Sequence, residues 1–576
     1  MSTTTGIVAV VLTAVATVLI GMYGVRAART TSDFYVASRT VTPWWNASAI
    51  GGEYLSAASF LGVAGLVLAY GTDMLWFPVG YTAGYLMLLV LVAAPLRRSG
   101  AYTLPDFAEA RLESAAARRV ASILVVTIGW LYLLPQFQAA GLTLRTVTGA
   151  PQWAGPVVVA LVVLVSVLGG GMRSITFVQA FQYWLKLTAL AIPVIFLLLL
   201  WAGDGRPELA APGEPVFEEA TSVEVTIDVT VDVPSRVVVT ADGDELVLEP
   251  GPHDIEAGTV LDFPAGAPIP HASSLTPMTG ESWALPLTAG GDHPLYATYS
   301  LIIALFFGTM GLPHVLVRFY TNPDGRAARR TTLAVLGLLG VFYVLPGLYG
   351  ALGRLYTPEL LLTGRTDAVV LVLPGRLIDG VLGEGLSMLV TAGAFAAFLS
   401  TSSGLTVSVA GVLSQDLLHG RVRNPVTGFR LGAFLALLVP IGLALTSPFL
   451  GIADVVGLAF AVAASSFCPL LLLGIWWRRL TWPGAVAGLL VGGGASTLAV
   501  VVTILGGPQG GWIGALLAQP AAWTMPLAFL AMIAVSLMTQ QHMAPGVNRT
   551  MVRLHTPEHL DLNRGDWDPE DRWRSN

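Results

Sequence analysis

The sequence predicts an all-α polytopic membrane protein of about thirteen transmembrane helices, with a small β-rich extracytoplasmic insert. Three observations predict it. Of 576 residues, 54% are hydrophobic and only 11% are charged, whereas a soluble domain carries nearer a quarter charged residues. The apolar residues come in unbroken runs, and about 18 or more such residues cross a bilayer as a helix. One stretch, 203–295, departs from this pattern with many carboxylates and strand-like alternation. The 63 glycines fit membrane helices that approach closely through small residues.

Apolar runs fall at about 6–25, 46–70, 74–96, 120–148, 154–171, 176–201, 296–320, 331–353, 385–415, 428–447, 450–476, 483–506 and 520–538. Positive charge orders them. Arg26, Arg29 and Arg39, then Arg97, Arg98, Arg111, Arg118 and Arg119, then Arg173 fall on alternate connections. Arg326, Arg329 and Arg330, Arg421 and Arg423, and Arg478 and Arg479 continue the series. The positive-inside rule then places the N-terminus outside and the C-terminus in the cytoplasm of a bacterial cell. The exception is the connection 354–383, with Arg354, Arg365 and Arg376, which is expected to hold a short half-buried helix. Met1 to Val25 has no basic start and is followed by arginine, so it reads as a retained helix and not a signal peptide.

Within 203–295, the alternation Val223–Val231 and Arg236–Thr240 predicts strands, and Asp242-Gly243 and Pro250-Gly251 predict turns. A packing lid is the plainer reading of this insert, a binding module the other. Residues 541–576 read as a polar cytoplasmic tail. The single cysteine, Cys468, lies in an apolar run and has no disulfide partner. Lys186 is the only lysine against many arginines, an imbalance that reads as base composition and not as chemistry. No nucleophile–base pair, metal-ligand cluster or nucleic-acid-binding pattern stands out, so an enzyme is not expected.

Three spans carry candidate chemistry. The second contains Gly51, Gly52 and Glu53. A glycine pair weakens helix continuity, and an intramembrane carboxylate is costly unless it meets water, an ion or a partner. Broken helices of this kind offer carbonyls to a cation and half-helix N-termini to an anion, although a close-packing glycine face explains the pair equally well. The ninth span has four consecutive hydroxyls, Ser400 to Ser403. They can bond back to their own helix or supply oxygen to a hard cation. The seventh places Pro313 within a span and His314 and Arg318 on one helix face. Arg318 reads first as a cytoplasmic anchor and His314 as a packed histidine.

The strings Asp33–Arg39, Tyr54–Gly62, Tyr102–Phe107 and Gly311–Thr321 together resemble the solute:sodium symporter family, most nearly its cation–acetate branch, over roughly residues 30–545. The resemblance implies a leucine-transporter-like core of two inverted five-helix repeats. It divides the chain into an extra helix and loop (1–43), a first repeat (44–202), the insert (203–295), a second repeat (296–480), two further helices (481–540) and the tail. It also implies secondary active transport of a small monocarboxylate such as acetate, with sodium or a proton as coupling ion and no other cofactor. A small accessory membrane protein is a further implied partner. A symporter for proline, pantothenate or a sugar, or a transporter-like sensor, is the alternative. The sodium site implied is formed by the carbonyls of Gly52, Leu55 and Ala397 and the hydroxyls of Ser400 and Thr401. Substrate is expected beside it, near Glu53, Tyr54, Ser56, Gln136 and Gln138.

Overall fold

The computed structural model describes residues 3–25, 41–211, 213–225, 228–288, 293–418, 421–422, 424–446, 451–506 and 510–557. The string Asp33–Arg39, Arg26, Arg29, Arg423 and the tail beyond 557 lie outside them.

Among the described residues, eleven helices are long and apolar enough to cross a membrane, with Ala154–Gly169 as a shorter apolar helix. The difference from thirteen has a local cause. The second and third runs join through a turn at Gly71 (φ +72) into one helical stretch, Ala58–Ser99. The fifth and sixth runs lie in a single helical element, Ala154–Gly203, so Arg173 sits within a helix and not in a loop.

The chain begins with α1 (Thr3–Val25) and α2 (Pro43–Tyr54), whose Pro43 suits a first helical turn that needs no N–H. After a non-helical step, a π-turn at Ala58–Gly62 leads into α3 (Val63–Tyr70). α4 (Trp76–Met87) and α5 (Ala93–Ser99) return. The short α6 (Leu104–Leu112) starts with a reciprocal Thr103–Asp106 cap that satisfies two otherwise orphaned N–H groups. The long helices α7 (Ala115–Thr148) and α8 (Ala154–Gly203) follow.

Seven short strands fill most of the next stretch: β1 (Thr221–Glu224), β2 (Val229–Val233), β3 (Val237–Ala241), β4 (Asp244–Leu248), β5 (Gly251–Ile255), β6 (Val260–Phe263) and β7 (His271–Ala272). They pair antiparallel as β1-β6-β3-β4 and β5-β2-β7. The run 223–231 is therefore not one strand but parts of two, in different sheets. Asp242 (φ 51) and Gly243 (φ 98) form the expected two-residue hairpin between β3 and β4, where both positions need a left-handed backbone. Val231, Val239, Leu261 and Phe263 point into a common core.

α9 (Gly280–Ala284) leads back to the helical bundle, which continues with α10 (Pro294–Thr309), α11 (Pro313–Val317), α12 (Gly325–Tyr356), α13 (Glu359–Thr363) and α14 (Val369–Leu377). α15 (Gly380–Val412), α16 (Pro425–Thr446), α17 (Ile452–Trp476), α18 (Trp482–Gly488), α19 (Gly494–Gly506), α20 (Gly511–Ala518), α21 (Ala521–Met538) and α22 (Val547–His555) complete it. The 354–383 connection, expected to hold one short helix, holds two, α13 and α14. α8 packs along α15, α2 and α1, while α10 packs on α17 and α7 crosses both α15 and α17. α17 is buried almost throughout, which makes it the axis of the second half.

Candidate functional site

The site grows from two interruptions. α2 runs through Gly51-Gly52 as continuous helix and stops at Tyr54; Leu55 leaves helical geometry (φ −74, ψ 84). The glycine pair therefore serves close packing while the break lies just beyond it. A Cβ on Gly52 would stand 2.1 Å from the carbonyl oxygen of Gln179, so only glycine lets α2 approach α8 this closely. The second interruption separates α10 from α11: Leu312 is extended (φ −73, ψ 115) before Pro313 restarts the helix.

The carbonyls of Gly52, Glu53 and Leu55 at the first break each meet a side-chain donor, as a buried backbone requires. The Thr401 hydroxyl donates to Glu53 O at 2.6 Å. Lys186 Nζ donates to Gly52 O, to Leu55 O at 2.7 Å and to Ser400 Oγ at 2.8 Å. On the other side of the break, Ala57 N donates to Gln136 Oε1 at 3.0 Å. Ser400 Oγ in turn donates to Ala397 O at 3.1 Å.

A buried ion pair stands one turn away. Arg318 Nε donates to Glu53 Oε2 at 2.7 Å, with both side chains almost fully enclosed. Arg318 also donates to Thr176 Oγ1 at 2.7 Å and to Gln179 Oε1. Arg318 is thus a core residue and not a cytoplasmic anchor. Gly404 makes room for the carboxylate, since a Cβ there would lie 2.1 Å from Glu53 Oε1. On α8 the contributing residues Thr176, Gln179 and Lys186 are spaced 3 and 7 apart, one helical face.

Between the two breaks lies a sealed aromatic cluster. The Tyr54 ring meets Tyr85 at 4.8 Å and Phe460 at 6.2 Å, and Tyr132 meets Phe460 at 5.9 Å and His314 at 5.1 Å. The Tyr132 hydroxyl donates to Ser56 Oγ at 3.4 Å, and the Tyr54 hydroxyl pairs with Thr309 Oγ1 at 2.9 Å. Among the described residues, the hydroxyls of Tyr81 and Tyr85 and both ring nitrogens of His314 are buried with no hydrogen-bond partner. Native interiors rarely leave such groups orphaned without a role.

The structure therefore gathers Gly52, Leu55 and Ser400 around one point, which Lys186 occupies. Ala397 O and Thr401 Oγ1 lie beside that point but are engaged by Ser400 and Glu53 O. Ser56 and Gln136 stand at the break, Tyr54 in the aromatic cluster, and Glu53 in the ion pair. Gln138, two positions from Gln136 on a continuous helix, faces away from it. Sequence reasoning passed over Lys186, Gln179, Tyr132 and Tyr85. The available signal was the polar stripe 176–179–183–186 in an otherwise apolar span, with the chain's only lysine at its end.

Two broken helices meeting a hydroxyl-bearing helix inside a helical bundle define a membrane carrier of leucine-transporter-like fold. A Na+-coupled sialic acid symporter captured in a substrate-bound outward-open state has this fold, with a TM-score of 0.61 at 14% identity, covering 93% of this chain and 98% of that one. The profile of the Sodium:solute symporter family matches residues 34–253 and 274–492. The chain belongs to that family, and sodium-coupled symport of a small solute is the activity such membership carries. It is similar to the uncharacterized symporter YwcA of Bacillus subtilis (strain 168), with 29% identity over 527 residues, 89% of this chain and 90% of that protein.

Proposed function

We propose that the protein is a secondary active transporter that carries a small monocarboxylate such as acetate, together with a cation, into a bacterial cell by alternating access. The observation that carries this reading is the set of unpartnered donors between the two breaks: the His314 ring and the Tyr81 and Tyr85 hydroxyls, beside Ser56 and Tyr132. A carboxylate is an acceptor-only group that such donors suit. The charge balance points the same way. Glu53 and Arg318 cancel, so among these three groups Lys186 contributes a surplus positive charge that an anion offsets.

In this reading the insert and the outer ends of α3 and α12 face outside, and the cation acts at the point enclosed by Gly52, Leu55 and Ser400. Binding at that point favours one arrangement of the two halves, which is what coupling requires. Uptake of radiolabelled acetate into proteoliposomes, corrected for protein-free liposomes, tests it. Propionate is expected to compete and proline is not; competition by proline alone refutes the carboxylate. His314→Ala is expected to raise KM for acetate at least about tenfold, since it removes a donor from a desolvated site. Ser400→Ala combined with Thr401→Ala is expected to abolish cation-dependent uptake in a folded protein; unchanged cation dependence refutes the placement of the cation.

A further inference from the structure

The cation cage already contains a cation. Lys186 Nζ, fully buried on α8, stands within hydrogen-bond reach of Gly52 O, Leu55 O and Ser400 Oγ, three of the five groups implied as sodium ligands. We propose that in this protein the Lys186 ammonium takes the place of sodium, so that the cage formed by Gly52, Leu55 and Ser400 does not fit a sodium ion. The proposal rests on the reading of the chain as a cation-coupled carrier.

Hydrogen-bond counting supports it. An ammonium has three N–H donors and no acceptor, and it meets three oxygen acceptors here. Two are carbonyls on the interrupted α2 and the third is a hydroxyl on α15, so the protonated side chain ties the two halves together across α8.

The chemistry of lysine fits this role where arginine would not. An ammonium is a compact point charge with three donors, whereas a guanidinium is a planar fork with five. The chain uses arginine at every other strongly basic position. The surroundings supply one opposing charge: Glu53, on α2, is the carboxylate whose field reaches Lys186. Arg318, beyond α11, is paired to that carboxylate. α15 contributes the Ser400 hydroxyl. Tyr183 lies one turn away on α8 itself. Sodium added to this cage would have to displace the ammonium from all three oxygens.

Radiosodium binding to the purified full-length protein tests the inference without any substrate. Wild type is expected to bind no more sodium than Ser400→Ala. Lys186→Ala, which empties the cage, is expected to gain saturable binding that a second change, Ser400→Ala, removes. Saturable binding by wild type that Ser400→Ala removes would overturn the proposal, and this comparison needs no Lys186 variant to fold. A Lys186→Ala protein that elutes as wild type yet gains no sodium binding overturns it too. In proteoliposomes, initial acetate uptake is expected to change less than about twofold when sodium is added at constant pH. Stimulation by sodium of about tenfold or more counts decisively against it. If acetate shows no counterflow in any medium, the carboxylate reading fails while the sodium-binding result still decides the cage.

Discussion

Replacing Glu53 with Gln leaves the Arg318 guanidinium buried without its counter-charge, and the geometry sets the cost. The pair is 2.7 Å apart with 1% and 2% of the two side chains exposed. Removing one partner of such a pair costs about 3–5 kcal/mol, because the remaining charge stays desolvated. Arg318 keeps its bonds to Thr176 and Gln179, so the lower end, about 3 kcal/mol, applies. Arg318→Met leaves the carboxylate in the same position and is expected to cost a similar amount. The double variant removes both charges and is expected to recover roughly 2–3 kcal/mol relative to the sum of the single changes. The assay is chemical denaturation of the four purified proteins in detergent, read as a double-mutant cycle. Single effects that add to within about 0.5 kcal/mol would refute the pairing.

Three further outcomes follow from the packing. Gly52→Ala places a Cβ 2.1 Å from a backbone oxygen that cannot move aside, so α2 must shift from α8; a loss of at least about 1–3 kcal/mol and of uptake is expected. Gly385→Ala, which meets nothing within 4 Å, leaves both unchanged in the same assays. Trp283→Ala removes an indole that donates to Val67 O at 2.8 Å and packs under Arg354, and is expected to release the insert at a cost of about 3–5 kcal/mol, seen as rapid proteolysis within 203–295 while the helices remain intact. Burial, with the Arg354 cation adding to it, pushes His271 of β7 down to about 4 from its ordinary 6.5. The folded insert therefore holds this ring neutral, and its contribution is complete above pH 6.5 and falls as the pH drops toward 4, by at most about 3 kcal/mol. Proteolysis of the insert across that range checks it, and His271→Phe is expected to flatten the profile.

Much of the architecture was legible because hydrocarbon imposes it. Long apolar runs, a glycine pair beside a carboxylate and a proline within a span are local signals, and they led to both interruptions. The meeting of Gly52 and Leu55 with Ser400 came from the family resemblance, not from spacing. What stayed hidden is what depends on distant parts of the chain. Lys186 lies 134 positions from Gly52 and 214 from Ser400, and nothing in its own helix tells base composition from function. Arg318 sits near a span end, where arginine ordinarily anchors to the interface; only the fold shows it turned inward to Glu53. The run 223–231 alternates as one strand would, yet the peptide crosses between two sheets, a choice made by tertiary pairing.

The attachment of the insert has a practical side. Trp283 grips the end of α3 through Val67 and Leu68, Asp73 receives the N–H groups of Leu287 and Thr288, and Arg354 of α12 donates to Met278 O. The β-rich unit is therefore riveted to two helices that any rocking of the halves must carry. It acts as a pointer fixed to moving machinery. Cys468 is fully buried, so a cysteine introduced at the exposed Val238 would be the one accessible thiol, and a fluorophore there would register each swing from the aqueous side.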